Sequence, residues 1–340
     1  MITPYYKSPN HDFNLICGDT FELLPQFNFK FDMIFADPPY FLSSGGISVQ
    51  SGKVVCVDKG DWDKSMSQED INAFNLKWLS LCREKLKDNG TIWISGTHHN
   101  IHVVMRCLQE LGYKVLNTIT WQKTDPPPNL SCKYFNFSTE LIIWARKHEK
   151  KTHKFNYETM KQLNGGTQMT DVWRIPAVGK WEKNQGKHPT QKTLRLLYRI
   201  ILASTNEGDT ILDPFSGSGT TGIAANLLNR KYIGIEQDKK FCELSLSRRA
   251  ALEDPEERKK LTDKMRENPQ LFKQTNKGFR IYQPKDLQEK GFSAEHAMYY
   301  AGFLFDPTKP IQFDQLIDLH KKKYTQVAHI QPLSDFISIK

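Results

Sequence analysis

A short apolar run, Thr210-Ile211-Leu212, breaks into Asp213-Pro214-Phe215-Ser216-Gly217-Ser218-Gly219-Thr220-Thr221-Gly222, continues to Leu228, and is followed by a second apolar run, Tyr232-Ile233-Gly234-Ile235. Read as strand, turn, helix and strand, this passage constrains the fold more than any other. Gly217, Gly219 and Gly222 fit Gly-x-Gly-x-x-Gly, and Glu236 closes the second strand 19 residues after Gly217. Glycines let an adenosine-containing cofactor approach the backbone, and a carboxylate at the tip of the second strand can bind both ribose hydroxyls. A dinucleotide and an adenosyl sulfonium both suit such a turn. Asp213 separates them, because an acid just ahead of the glycines attracts an ammonium and repels a pyrophosphate. The turn therefore favours S-adenosylmethionine over NAD, with Asp213, Phe215, Gly217, Ser218, Gly219, Thr220 and Glu236 as candidate cofactor residues.

Strand and helix patterns alternate along most of the chain. Asn14–Cys17, Phe31–Ala36, Thr91–Ser95, Val115–Trp121 and Leu141–Ala145 read as strands. Helical spacing marks Thr20–Leu24 with Asp19 or Thr20 as cap, a stretch from Ser67-Gln68-Glu69-Asp70 to the Asn89-Gly90 stop, Asn100–Leu111, and Leu194–Ala203. The expected class is α/β, a Rossmann-like and mostly parallel sheet wound on both faces, with a small α+β region appended at the C-terminus. The expected boundaries are a main domain over 1–252, a charged, solvated helical linker over 253–277 and a small domain over 278–340.

Asp37-Pro38-Pro39-Tyr40 follows the strand that ends at Ala36, so it leaves the carboxyl end of the sheet, where open α/β folds place their sites. The lone pair of an exocyclic base amine is delocalised into its ring and is a poor nucleophile. Two acceptors holding both amine protons let the nitrogen pyramidalise, and the Asp37 carboxylate and Pro38 carbonyl can be those acceptors. Pro38 and Pro39 fix the turn and add no N–H to compete for the carboxylate. Tyr40 offers a ring on which an unstacked base can lie. The plain alternative is a proline turn, and Asp125-Pro126-Pro127-Pro128, with no ring in fourth place, reads as that.

The chain carries a formal net charge of +9. Between Trp121 and Ile200 there are 15 Lys+Arg against 6 Asp+Glu, so this stretch alone accounts for the excess. Rings interleave with the charges (Phe155, Tyr157, Trp173, Trp181), which suits a polyanion better than a purely solvated face. The six cysteines form no Cys-x-x-Cys pair, so neither zinc nor a disulfide framework is indicated, and no metal is expected. No leader and no membrane span are read, which points to a soluble, unexported, cytoplasmic chain of bacterial or phage type.

Together these residues resemble the β class of DNA amino-methyltransferases, in which a catalytic tetrapeptide precedes the target-recognition region and the cofactor turn follows it. The resemblance spans about Asn14 to Leu252 and implies transfer of a methyl group from S-adenosylmethionine to a flipped adenine N6 in DNA. It implies that Asp37, Pro38, Pro39 and Tyr40 are catalytic, with Asp37 also bordering the cofactor. Asp19 of Gly18-Asp19 would reach the adenine ring of the cofactor. Lys187, His188 and Thr190, in Lys187-His188-Pro189-Thr190-Gln191-Lys192, would border its methionine end; Thr193 stands where the family usually has a further proline. The stretch from Tyr40 to Lys64 is most similar to Dpn-type methylases of restriction-modification systems, which modify GATC. The implied recognition region is about 145–186, and the expected DNA contacts are Trp62, Lys64, Arg174, Lys180 and Lys183. A role for Arg146, Lys147, Lys150 and Lys151 on phosphates stays open against simple surface charge. DNA is thus the expected partner; the C-terminal region is read as an added module that contacts DNA or a second copy of the chain, or as a coupling element to a cognate restriction endonuclease, with DNA favoured. Competing readings are cytosine N4 transfer, an RNA or protein-glutamine substrate, a non-catalytic DNA-binding relative and an NAD oxidoreductase.

Overall fold

The computed structural model describes residues 2–41, 66–126, 133, 135–186 and 188–267, together with the backbone pairing of 46–50 and 53–57. All of these belong to one compact unit, Met1–Ile281. The region 278–340, expected as a small domain, lies outside the described residues.

In chain order the strands are β1 (Tyr6–Lys7), β2 (Phe13–Cys17), β3 (Phe31–Ala36), β4 (Gly46–Gln50), β5 (Lys53–Val57), β6 (Leu86–Gly96), β7 (Lys114–Gln122), β8 (Thr139–Arg146), β9 (Val172–Arg174), β10 (Thr210–Asp213) and β11 (Lys231–Glu236). The helices are α1 (Thr20–Leu23), α2 (Gln68–Lys85), α3 (Ile101–Glu110), α4 (Tyr157–Leu163), α5 (Leu194–Ser204), α6 (Thr220–Leu227), α7 (Lys239–Ala250) and α8 (Pro255–Arg266). Strands β4 and β5 form a separate hairpin, and the others form one sheet in the order β1-β2-β11-β10-β3-β6-β8-β7-β9. From β2 to β6 every pairing is parallel, as the α/β reading expects. Beyond β6 the sheet turns antiparallel through β8 and β7.

Apolar strands with helices on both sides give two cores. One face packs Trp93, Trp121, Leu197 and Tyr232, among others, beneath α5 and α6; the opposite face packs Phe31, Ile34, Trp78 and Ile92 beneath α2 and α3. The close fit of α6 depends on Gly222, where a Cβ would stand 2.5 Å from Tyr232 Cδ1 and nearer still to the Phe13 ring.

The structure departs from the sequence reading in three places. Helix α2 does not run to Asn89-Gly90; it ends at Lys85, and β6 starts at once with Leu86 paired to Phe31. Thr91 is the next paired residue, opposite Met33, so Asn89-Gly90 sits in a bulge. There a Cβ on Gly90 would stand 2.8 Å from the Asp32 carbonyl. The part of the basic segment between Ala145 and Leu194, read without elements of its own, contains α4 and β9. Finally, α8 is not simply solvated: Leu261 and Met265 are buried, and Arg195 of α5 donates to the Lys264 carbonyl (3.0 Å) and the Glu267 carboxylate (2.6 Å).

Candidate active site

Strands β3 and β10 are parallel neighbours, with Ile211 opposite Met33 and Leu212 opposite Ile34. Their carboxyl ends therefore bring the Asp37 turn and the Asp213 turn side by side, although the two lie far apart in the sequence. Between them opens a cleft lined by Asp19, Asp37, His188, Phe215, Gly217 and Glu236, all expected cofactor residues, with Thr190 and Pro39 also on its wall. The aromatic wall is larger than expected. Phe215 packs edge-on to Trp78 at 5.5 Å, and Phe74, facing the same cleft, packs edge-on to Phe21 and Phe41.

Each polar group of the cleft has a local cause. Asp19 is the N-cap of α1, accepting from the Phe21 N–H at 2.6 Å, and Thr20 ties this cap to the glycine turn by donating to the Pro214 carbonyl. One Glu236 oxygen accepts from Gly217 N–H at 2.7 Å and the other from Asp238 N–H at 2.9 Å. Burial raises its carboxyl pKa, and these two bonds work against that rise. Gly217 has φ of +52°, and a Cβ there would stand 3.2 Å from His188 Nε2. Burial, followed by the charges of Lys192 and Arg248, pushes the His188 imidazole down to about 3, so the ring is neutral at physiological pH. Its Nδ1 accepts from Thr190 N–H at 3.3 Å, leaving the ring hydrogen on Nε2, beside the Gly217 turn.

Four expected cofactor residues lie behind the cleft wall instead. Asp213 is 2% exposed, and its two oxygens accept from Thr221 Oγ1 (2.6 Å) and Phe215 N–H (3.1 Å), so it braces the turn rather than facing an ammonium. Ser218 and Thr220 are buried around the Arg248 guanidinium, which donates to the Ser218 carbonyl (2.6 Å), Ser218 Oγ (2.9 Å) and Thr220 Oγ1 (2.8 Å). Gly219, with φ of +72°, is the left-handed N-cap of α6, where a Cβ would strike Ser245 Oγ. Lys187 lies outside the described residues.

Burial raises Asp213 from about 3.8 to about 7, against the Thr221 and Phe215 hydrogen bonds. The folded chain thus holds a proton that the unfolded chain has already lost, and stability falls as pH rises between those values. We expect Asp213→Asn to gain stability relative to the parent from about pH 4 to about pH 7. Urea unfolding across this range checks it, and a stability difference that does not change with pH rejects it.

Around Asp37 the arrangement is denser than the sequence suggested. Tyr40, only 8% exposed, donates its hydroxyl to Asp37 Oδ1 at 2.6 Å and lies 3.1 Å from Ser95 Oγ, so its ring must be uncovered before a base can lie on it. Burial and the Asp37 charge keep this phenol protonated, with its pKa well above 10. Lys192, the last residue of the Lys187–Lys192 motif, reaches Asp37 Oδ2 with Nζ at 2.7 Å. Its side chain is 6% exposed. Burial alone would lower the pKa of Lys192, but Asp37, Tyr40 and Glu140 outweigh it and hold the ammonium charged. Glu140, opposite Trp121 in the β7–β8 pairing, accepts from Lys123 at 2.6 Å; burial opposes its ionisation, and Lys192 and Lys123 override it. Neither Lys192 nor Glu140 was expected in the site. Only the place of Lys192 in the motif hinted at it.

Of the expected DNA contacts, Trp62 and Lys64 lie outside the described residues, whereas Arg174 and Lys180 are exposed and Lys183 is half-buried. Lys147 is excluded from a phosphate role by burial: its Nζ donates to the Leu86 carbonyl at 2.9 Å. Lys151 pairs with Asp88 at 2.6 Å, and Trp173 belongs to the core. Just beyond the carboxyl end of β6, His98 stacks on Phe137 at 4.9 Å, and Phe135 nearby in sequence is 97% exposed. Among the described residues no side-chain group could hold a metal ion, and no helix is long and apolar enough to cross a membrane.

Residues 31–247 match the family model described as DNA methylase (N6_N4_Mtase). The chain is 57% identical over 248 residues to Type II methyltransferase M2.MboI of Moraxella bovis, covering 73% of this chain and 91% of that one. It is 56% identical over 250 residues to Type II methyltransferase M2.DpnII of Streptococcus pneumoniae, covering 73% and 92%. Among solved structures, that of the M1.HpyAVI–SAM complex superposes with a TM-score of 0.54 at 29% identity, covering 69% of this chain and 98% of that one. PvuII DNA methyltransferase, cytosine-N4-specific, superposes with a TM-score of 0.57, but at 20% identity (77% and 95% covered) it speaks only to the fold.

Proposed function

We propose, because the chain belongs to the DNA methylase family, that it transfers a methyl group from S-adenosylmethionine to N6 of a flipped adenine in DNA. The observation that carries this reading is the Asp37 carboxylate on the wall of the cleft that the glycine turn also borders. When bound, S-adenosylmethionine supplies the methyl group as an electrophilic carbon on a sulfonium. Asp37 and the Pro38 carbonyl accept the two amine protons and so free the nitrogen lone pair for attack. Asp37 is also the nearest anion to the positive charge that grows on the methylated amine, and it is fixed in place before the base arrives. Adenine is favoured over cytosine by the acid at position 37, where N4 enzymes more often carry serine, and by the resemblance of the stretch from Tyr40 to Lys64 to Dpn-type methylases that modify adenine.

The residues of the cleft fit the cofactor. Each Glu236 oxygen spends one lone pair on a backbone N–H and keeps another, enough for two adjacent ribose hydroxyls. Asp19 keeps an oxygen for the adenine amino group, and Phe215 gives an apolar wall. Glu236→Gln sets an amide N–H₂ against one of the two backbone N–H groups. We expect S-adenosylmethionine to bind at least about tenfold more weakly, a loss of about 1.4 kcal/mol, by calorimetry. Unchanged affinity would remove Glu236 from the site.

The recognition region over 145–186, a cytoplasmic site of action, and pairing with a cognate endonuclease belong to the same proposal; the Type II names of the relatives support the last. Incubation with methyl-labelled cofactor and duplex DNA, followed by nucleoside digestion, tests the base. N6-methyldeoxyadenosine is the expected product. N4-methylcytosine would overturn the assignment, and methylation-sensitive sequencing of the same DNA reads the recognition sequence.

A further inference from the structure

Four charged side chains run from the end of β7 to the Asp37 turn: Lys123, Glu140, Lys192 and Asp37. Two cations and two anions balance, which lets them lie together with little water. Their hydrogen bonds are not evenly shared. Glu140 Oε1 is held by Lys123 at 2.6 Å, while Oε2 is buried and makes no hydrogen bond. That orphaned oxygen lies 3.6 Å from Lys192 Nζ, just beyond bonding distance, while the same ammonium holds Asp37 Oδ2 at 2.7 Å and the Thr190 carbonyl at 3.3 Å. An ammonium has three N–H donors, and the third has a carboxylate oxygen waiting for it. A buried carboxylate oxygen that faces a cation without a hydrogen bond to it is costly to maintain in a native structure.

We propose that Lys192 is a two-position residue that holds Asp37 while the base pocket is empty and swings to Glu140 Oε2 when the target amine docks. The proposal rests on the methyl-transfer reading above. While Lys192 sits on Oδ2, it withdraws charge from the oxygen that must accept an amine proton. It also places a cation beside a nitrogen that becomes positive as the methyl group arrives. Moving to Glu140 shortens 3.6 Å to an ordinary charge-assisted bond of about 2.8 Å, satisfies the orphaned oxygen and leaves the carboxylate to the amine. The ammonium stays close enough to keep the whole group neutral. Tyr40 continues to hold Oδ1 throughout, so the carboxylate does not rotate as one partner replaces another. Lys192 and Glu140 thus act through Asp37, as positioning residues.

Single-turnover methyl transfer to a duplex oligonucleotide tests this in Glu140→Gln, Glu140→Asp, Lys192→Met and the double variant Lys192→Met/Glu140→Gln. Glutamine has the shape of Glu140 but not its charge, so Lys192 has nowhere to go. We expect Glu140→Gln to lower the transfer rate at least about tenfold while cofactor affinity stays within about twofold, and Glu140→Asp to restore most of the loss. In the Lys192→Met background, where no ammonium needs a second position, the Glu140→Gln change should cost less than about twofold. An equal cost in both backgrounds overturns the proposal in favour of a purely structural pair. So does full activity in Glu140→Gln. If Lys192→Met fails to fold, as read by thermal unfolding, the comparison of Gln with Asp at 140 still decides, because equal losses in the two overturn it. Failure of the parent chain to label adenine would reject the methyl-transfer reading instead, and the two outcomes are distinct.

Discussion

Asp37→Ala is expected to lower methyl transfer by about a thousandfold or more, the scale of losing a preorganised group that meets charge in the transition state. DNA affinity should change little, because it is dominated by phosphate contacts, which a carboxylate does not make. The alanine variant will also lose stability, since it leaves the buried Lys192 ammonium with the Thr190 carbonyl at 3.3 Å and no carboxylate nearer than Glu140 at 3.6 Å. Asp37→Asn is the cleaner probe. Its amide oxygen can still accept from Lys192 or Tyr40, so folding should be nearly preserved while the anion is gone. Single-turnover assays with labelled cofactor, alongside gel-shift titration of DNA, measure both effects. An asparagine variant that keeps more than a tenth of the parent rate would show that charge at position 37 is not what the reaction needs.

The second large effect is structural. Gly222→Val should destabilise the chain by about 1–3 kcal/mol or more, out of a total stability of about 5–15 kcal/mol. The new Cβ would stand 2.5 Å from Tyr232 Cδ1 and press on the Phe13 ring, and both side chains are fully buried. Relief requires α6 to lift off the sheet, which drags the glycine turn with it. Cofactor binding should therefore weaken along with the urea midpoint, and Gly222→Ala should lie between valine and the parent. A valine variant with an unchanged midpoint would mean that the helix seats differently.

Much of the fold was legible because its signals are local. Apolar strands stopped by turn residues, the Asp19 cap and the helical run at Leu194 each depend on a few neighbouring residues, and each appears where expected. Helix α2 was overrun because Asn89-Gly90 is ordinary helix-ending chemistry, and only its pairing with β3 makes it a bulge. In the site, Asp19, Phe215, Gly217 and Glu236 could be read because a strand-turn-helix unit fixes their directions. Ser218 and Thr220 could not, since the Arg248 that claims them arrives from another helix. Glu140 was hidden more deeply. Nothing near it in sequence marks it, and its partner Lys192 comes from the opposite side of the site.

The parallel contact between β3 and β10 also has a consequence for biosynthesis. On the ribosome, Asp32 emerges 178 residues ahead of Thr210, whose N–H it accepts at 2.9 Å in the finished sheet. For most of translation β3 is a growing chain's unpaired edge, apolar and open to association with other nascent chains. Closing so long a loop is also slow. A chain cut short before β10 would carry the Asp37 turn without the glycine turn that stands beside it, and its exposed edge would make it a substrate for chaperones and proteases.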